Sequence, residues 1–255
     1  MKWLFSFFKR LFEKRQESDR IDPTQIISKT PQPEKDGVIN DDVIVNGFVS
    51  TGVQGKGRQL DAGLKRLIDQ AMIKRHGALA VLNAMREAKH NWLVWAVADA
   101  IVEMDVKELP SGSNKGPIVS KIQDTVGGPD ASAWCMSFVQ TCIAWVEDAC
   151  GIVSPIAAGE HVYTVFHQSY SKAVTQIPAT GHVGCLNYPP SKSGHTFILK
   201  SKVGLSAFTE EGNTTQGLDS QGRPVRDGGG AHHCKRSLSE KPGLKFLGWL
   251  KPFDS

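Results

Sequence analysis

The sequence predicts an α+β protein in which helices come first and strands follow. Residues 60–106 carry apolar side chains at helical spacing, and residues 135–151 carry a second, stronger helical pattern. The chain after residue 151 breaks into short alternating runs punctuated by glycine and proline, which is typical of strands. Helices and strands that are segregated in this way indicate an α+β fold.

The composition is that of an ordinary globular chain. Of 255 residues, 40% are apolar and 22% are charged, which excludes collagen-like, low-complexity and wholly disordered proteins. The net charge is +4, and residues 1–20 supply +3 of it from six basic and three acidic side chains. Because this excess is small, no nucleic-acid partner is expected.

Residues 1–20 predict an amphipathic N-terminal helix. Leu4, Phe8, Leu11 and Phe12 fall at helical spacing among lysines and arginines, a pattern that suits a membrane surface or a protein partner through residues 1–17. The apolar run is too short for a bilayer span and lacks the cleavage site of a secretory signal. Residues 21–58, rich in proline, glycine and aspartate, predict a linker.

Residues 59–106 predict a helical region of two or three helices. One stripe contains Leu64, Leu67, Ile68 and Ala71, and a break is expected at His76-Gly77. Helices over 78–87 and 92–106 follow. Residues 107–255 then form the predicted catalytic domain, for the reasons given below.

Cys135 is predicted to begin a largely buried helix. Positions 135, 138, 139, 142, 143 and 146 form one apolar stripe, with Asp130 or Ser132 as the expected N-cap and Gly151 as the expected stop. The first turn of a helix has unpaired N–H groups and a positive dipole end, which favour a thiolate over a thiol. Cys135 is therefore a candidate nucleophile, whereas Cys142, two turns deeper, is expected to be an inert core residue.

The candidate base is His195, at the start of a predicted strand. A second predicted strand, 205–211, places Glu211 on one face, and a hairpin pivoting on Val203 would bring Glu211 directly opposite His195. Asn213 lies on the same side if the strand continues. A cysteine, a histidine and an acid or amide can act as nucleophile, general base and orienting group, although a strand histidine is more often structural.

Several segments resemble the CHAP-like peptidoglycan amidases and endopeptidases of bacteria and phages, which belong with the NlpC/P60 group of papain-like cysteine hydrolases. The resemblance covers about residues 95–253 and rests on these runs: 107–114, Trp134-Cys135-Met136-Ser137-Phe138-Val139, Pro178 with Gly181-His182-Val183-Gly184, Gly194-His195, Glu211-Gly212-Asn213-Thr214 and 246–252. His182 stands where the family usually has an aspartate. The resemblance implies a papain-like fold with Cys135 as nucleophile, His195 as base and Glu211 or Asn213 as the third member.

The resemblance also implies the reaction. A cysteine hydrolase of this type would cleave amide bonds of murein by acyl transfer, either between muramic acid and L-alanine or within the peptide stem or cross-bridge, and would need no metal or cofactor. The expected setting is a bacterial host cell, where the enzyme acts on the cell wall and is either phage-encoded or secreted without a standard signal peptide.

Two other interpretations remain open from the sequence. The run His232-His233-Cys234, together with His182 and Cys185, offers ligand types that suit zinc. The chain could also be a non-catalytic cell-wall or virion docking module that keeps the same fold. Retention of Cys135, His195 and Glu211 favours the enzyme, because a binding module does not need them.

Overall fold

The structure is a computed structural model that describes residues 57–215 and 228–254. The predicted N-terminal helix over residues 1–20 and nearly all of the predicted linker over residues 21–58 lie outside the described residues. They stay predictions.

The described residues form a mixed helical and antiparallel architecture, which confirms the α+β class. The helices are α1 (Ala62–His76), α2 (Ala78–Arg86), α3 (His90–Glu103), α4 (Pro117–Asp124), α5 (Cys135–Cys150) and α6 (Val162–Ala173). The strands are β1 (Val174–Thr175), β2 (Val183–Asn187), β3 (Gly194–Val203), β4 (Ser206–Thr214), β5 (Gly230–Ser237) and β6 (Lys245–Leu250). They form one sheet in the order β1-β6-β2-β3-β4-β5, in which all paired neighbours are antiparallel.

The first helices follow the apolar pattern of the sequence. The Asp61 carboxylate caps α1 by accepting from the Leu64 N–H at 2.7 Å. The helix ends at the predicted break, where Gly77 takes a φ of 81°. Gly77 thus serves both as the end of α1 and as the cap before α2.

The core lies where α3 and α5 pack against each other and against the sheet. Every residue of α5 from Cys135 to Val146 is buried, as are most residues of α3, so the first three turns of α5 and most of α3 are enclosed by the protein. The buried side chains of α1 belong to the same cluster as those of α5. The helices of the predicted region 59–106 therefore share one core with the helix that carries Cys135.

Helix α5 begins at Cys135 but is not capped as predicted. Trp134 occupies the N-cap position without a side-chain cap, whereas Ser132 Oγ donates to Glu160 Oε2 at 3.4 Å. The buried indole of Trp134 donates to Glu108 Oε1 at 2.9 Å, so tertiary contacts rather than a polar cap fix this helix start. The predicted stop is confirmed, because Gly151 adopts the left-handed conformation with φ 66° and ψ 36°.

The β3–β4 hairpin differs from the predicted register. Val203 pairs with Ser206 around a two-residue turn, and a bulge between Leu199 and Ser201 places Ile198 opposite Glu210. The prediction that His195 lies directly opposite Glu211 is therefore wrong by two residues. A two-residue shift preserves the face of each side chain, so His195 and Glu211 still share one side of the sheet.

Gly212 allows β4 to approach α5 closely. A Cβ at this position would lie 2.5 Å from Phe138 Cβ and 2.8 Å from Trp134 Cζ3, which is inside any normal contact distance. We expect Gly212→Ala to lower the free energy of unfolding by about 1–3 kcal/mol, because the strand must move away from the helix. Urea unfolding measures this loss. Gly57→Ala is the matched control, because a Cβ there meets nothing within 4 Å; equal losses in the two variants would contradict the close approach.

Candidate active site

Cys135 lies at the first position of α5 and is only 5% exposed. The first bond of the helix runs from the Phe138 N–H to the Trp134 carbonyl at 2.9 Å. The N–H groups of residues 135–137 precede it and have no carbonyl within the helix to donate to. The thiol is thus adjacent to a group of main-chain donors, as the sequence predicted.

His195 connects the thiol to an acid. Its Nε2 lies 2.8 Å from Glu211 Oε2, and its ring also interacts with the Cys135 side chain. Because Glu211 occupies Nε2, Nδ1 is the nitrogen left for Cys135. Burial acts to lower the pKa of His195, but the side-chain contacts with Cys135 and Glu211 outweigh it, and the pKa is raised above its ordinary value.

Glu211 is a fully buried carboxylate whose two oxygens accept four hydrogen bonds. Oε1 accepts from Arg236 Nε at 2.5 Å and from Thr209 Oγ1 at 2.6 Å, while Oε2 accepts from His195 Nε2 and from Arg236 Nη2. Burial acts to raise the pKa of Glu211, but His195 and Arg236 lower it to about 2. Glu211 is therefore ionised across the ordinary pH range, and Nε2–H of His195 is the donor between them.

Arg236, on the next strand, is not among the site residues predicted from the sequence. In the β4–β5 pairing, Thr209 lies opposite Cys234 and Ala207 lies opposite Arg236, so Arg236 shares the face of Glu211. These small neighbours leave room for the long side chain to run toward the carboxylate. The alternation of residues 232, 234 and 236 was a usable signal, but residues 215–229 separate the strands and conceal their pairing.

Asn213 does not contact His195 through any hydrogen bond of the structure. In the amide orientation that satisfies its neighbours, its oxygen accepts from the Trp134 N–H and its nitrogen donates to Glu108 Oε1, both at 3.1 Å. Glu108 in turn binds the indole of Trp134. Of the two predicted third members, the structure brings Glu211 to His195, while Asn213 supports the start of α5.

The remaining cysteines differ from Cys135 in their surroundings. All five cysteines are free, and Cys142 is buried in the core as predicted. Burial raises the pKa of Cys142, and it raises the pKa values of Cys185 and Cys234 to about 12. Burial also raises the pKa of Cys150, at the last position of α5. Cys135 is the cysteine whose side chain interacts with His195.

The zinc interpretation does not fit the strand geometry. His232 pairs with Glu211 and His233 pairs with Glu210, so the two neighbouring imidazoles point to opposite faces of β5 and cannot bind one ion. His182 Nδ1 instead accepts from the Ala179 N–H at 3.1 Å. Burial, assisted by Lys251, lowers the pKa of His182 to about 4.

A separate charged cluster lies on the other face of the sheet. Among residues 57–215 and 228–254, one group of three ligand-type side chains comes within 4.8 Å: Asp99, Glu210 and His233. Arg75 Nε donates to Asp99 Oδ2 at 2.6 Å, and Lys200 Nζ lies 4.0 Å from both carboxylates. These cations already neutralise the acids, which disfavours a divalent ion in the cluster.

Comparisons with known proteins leave the family open. No family model matches the sequence, and no curated protein gives a significant match. None of the helices among residues 57–215 and 228–254 has the length and hydropathy that a bilayer span requires. The geometry around Cys135 and the residues that carry the resemblance are the grounds on which a function can be proposed.

The pKa shifts at this site predict how stability depends on pH. Glu211 has its pKa lowered from 4.5 to about 2, so it contributes stability above pH 4.5 that is lost as the pH falls toward 2. His195 has a raised pKa, so its contribution is complete below 6.5 and is lost as the pH rises through the raised value. The two contributions overlap between about pH 4.5 and 6.5.

We therefore expect the free energy of unfolding of the wild type to exceed that of Glu211→Gln by about 3 kcal/mol between about pH 4.5 and 6.5, and by less outside that range. Urea unfolding of both proteins from pH 2.5 to 9 measures the difference. Glu240→Gln removes an exposed carboxylate and is the control. A difference in unfolding free energy that does not vary with pH would contradict the lowered pKa of Glu211 and the raised pKa of His195.

Proposed function

We propose that this chain is a cysteine-dependent hydrolase of amide bonds in peptidoglycan, with a papain-like domain similar to the CHAP and NlpC/P60 enzymes. The observation that carries the proposal is the Cys135–His195–Glu211 contact series. A thiol at a helix start, an imidazole beside it and a buried carboxylate behind the imidazole are the groups that acyl transfer needs.

The chemistry follows from the order of these contacts. The Cys135 thiolate attacks the amide carbonyl, an S–C bond forms and the carbonyl electrons move to oxygen. His195 gives its Nδ1 proton to the leaving amine as the C–N bond breaks. Water then attacks the thioester while His195 takes one of its protons, and cleavage of the S–C bond releases a carboxylic acid and restores the thiolate.

Main-chain donors at the start of α5 support the oxyanion of both tetrahedral intermediates. The N–H groups of residues 135–137 are not used within the helix, and they lie beside the attacking sulfur. Each donor that reaches the oxyanion contributes about 3 kcal/mol to the stabilisation of the transition state. No step requires a metal or a cofactor.

The murein substrate is proposed from the resemblance. The runs that carry the resemblance include Trp134-Cys135 and the Glu-x-Asn run that contains Glu211, and the proposal is supported by the contact between Asn213 and the Trp134 N–H. The proposed setting is the wall of a bacterial host, reached by a phage-encoded protein or by one secreted without a standard signal. Residues 1–17 are proposed to dock on a membrane surface or a protein partner.

Digestion of purified murein tests the proposal. Wild type is expected to release soluble fragments, and mass analysis of their ends identifies the bond. A free muramic acid carboxyl with a new L-alanine amine means amidase cleavage, whereas fragments cut within the peptide mean endopeptidase cleavage. If an electrophilic reagent modifies Cys135 of the wild type while murein stays intact, the proposed substrate is wrong but the cysteine chemistry stands.

A further inference from the structure

Arg236 is placed to control the orientation of Glu211. Its Nε and Nη2 donate to the two different oxygens of the carboxylate, a bidentate geometry that fixes both the position and the rotation of the group. Thr209 adds a third donor at 2.6 Å. With these bonds made, Oε2 has one direction left for His195.

The same bonds fix the histidine. A buried ring whose Nε2–H donates to a fixed oxygen cannot rotate about its χ2 angle without losing that bond, so Nδ1 keeps one direction. Arg236 itself contributes no bond to the ring. Its effect on the thiol therefore passes through Glu211 and then through His195.

We propose that Arg236 is a positioning residue, which clamps Glu211 so that His195 presents Nδ1 to the Cys135 sulfur. The inference rests on the cysteine site of the proposed function, but it concerns a residue that the resemblance does not assign. It makes β5 part of the active site, although β5 carries neither nucleophile nor base.

Alkylation of Cys135 by iodoacetamide tests the clamp without requiring a known substrate. The thiolate displaces iodide, so the rate reports how much thiolate forms, and mass analysis of the peptide containing residue 135 separates this cysteine from the other four. At pH 6 an ordinary thiol is protonated, so formation of the Cys135 thiolate depends on a correctly oriented His195. We therefore expect Arg236→Met to react at least about 30-fold more slowly than wild type at this pH. At pH 9, where ordinary thiols are largely ionised, the two rates should agree within about threefold.

A double-mutant cycle identifies the route of the effect. In a Glu211→Gln background, Arg236→Met should change the pH 6 rate by less than about threefold, because the carboxylate through which it acts has gone. The double variant also removes both charges of the pair together, so it is expected to fold even if Arg236→Met alone does not. Arg86→Met, an exposed arginine on α2, is the matched control.

The possible outcomes distinguish a failure of the proposed role of Arg236 from a failure of the proposed cysteine mechanism. A wild type that reacts at pH 6 no faster than His195→Ala would overturn both the clamp and the cysteine mechanism. A fast wild type with an equally fast Arg236→Met would overturn the clamp alone. An equal slowing by Arg236→Met with and without Glu211 would also overturn it, because the effect would then be unrelated to the carboxylate.

Discussion

Replacing Cys135 by alanine is expected to reduce the proposed hydrolysis of murein by at least about 10⁴-fold, because it removes the proposed nucleophile, the group that would form the acyl-enzyme. The fold should persist, since the substitution removes one sulfur from a side chain at the end of a helix. Turnover is measured from the release of soluble fragments, and folding is measured by thermal unfolding.

Cys142→Ala is the matched control for this variant. Cys142 lies two turns further along the same helix, is equally free and is fully buried. Its replacement leaves a small cavity that affects stability but not the reacting atoms, so turnover should stay within about threefold of wild type. Unchanged hydrolysis by Cys135→Ala would end the cysteine mechanism.

Glu211→Gln is expected to lower kcat by about 10²–10⁴-fold with little change in KM. The amide keeps the size of the side chain, but it removes the negative charge that holds Nε2–H and stabilises the imidazolium. Because the residue does not reach the substrate, its loss should affect the chemical step rather than binding. The measurement is the rate of fragment release as a function of murein concentration.

Glu211→Ala is expected to lower the stability of the fold as well. Removing the whole carboxylate leaves the guanidinium of Arg236, whose side chain is 27% exposed, without its partner. We expect a loss of about 3 kcal/mol in the free energy of unfolding. Glu240→Ala serves as the exposed control; losses of equal size in the two variants would contradict a structural role for the buried pair.

Local sequence patterns predicted the parts of the site that depend on one element at a time. The helical stripe placed Cys135 at the start of α5, and strand alternation placed His195 and Glu211 on one face. The register was wrong because the bulge near Ser201 and the tight turn at Gly204 move the pairing by two residues. His195 and Glu211 are nevertheless in contact, because a shift by an even number of residues keeps both side chains on the same face.

The parts that sequence reasoning missed depend on contacts between distant residues. Arg236 reaches Glu211 across 25 positions, through a strand pair whose register cannot be read from either strand alone. Asn213 could not be distinguished from Glu211 by alternation, because both residues lie on the same face. The positive φ of Asn213 and its contacts with the start of α5 separate the two.

The position of β5 at the end of the sheet order has a consequence for heat inactivation. β5 pairs with β4 along one edge, and its other edge is held near its start, where Gly230 bridges Lys107 and the Ala231 N–H donates to the Val106 carbonyl. The later half of the strand, which carries Arg236, can therefore fray while the helical core stays intact. Fraying would withdraw the guanidinium from its carboxylate before the molecule melts as a whole. The hydrolytic activity should then be lost at a lower temperature than the helical circular dichroism signal. It should recover on cooling, when β5 pairs again with β4.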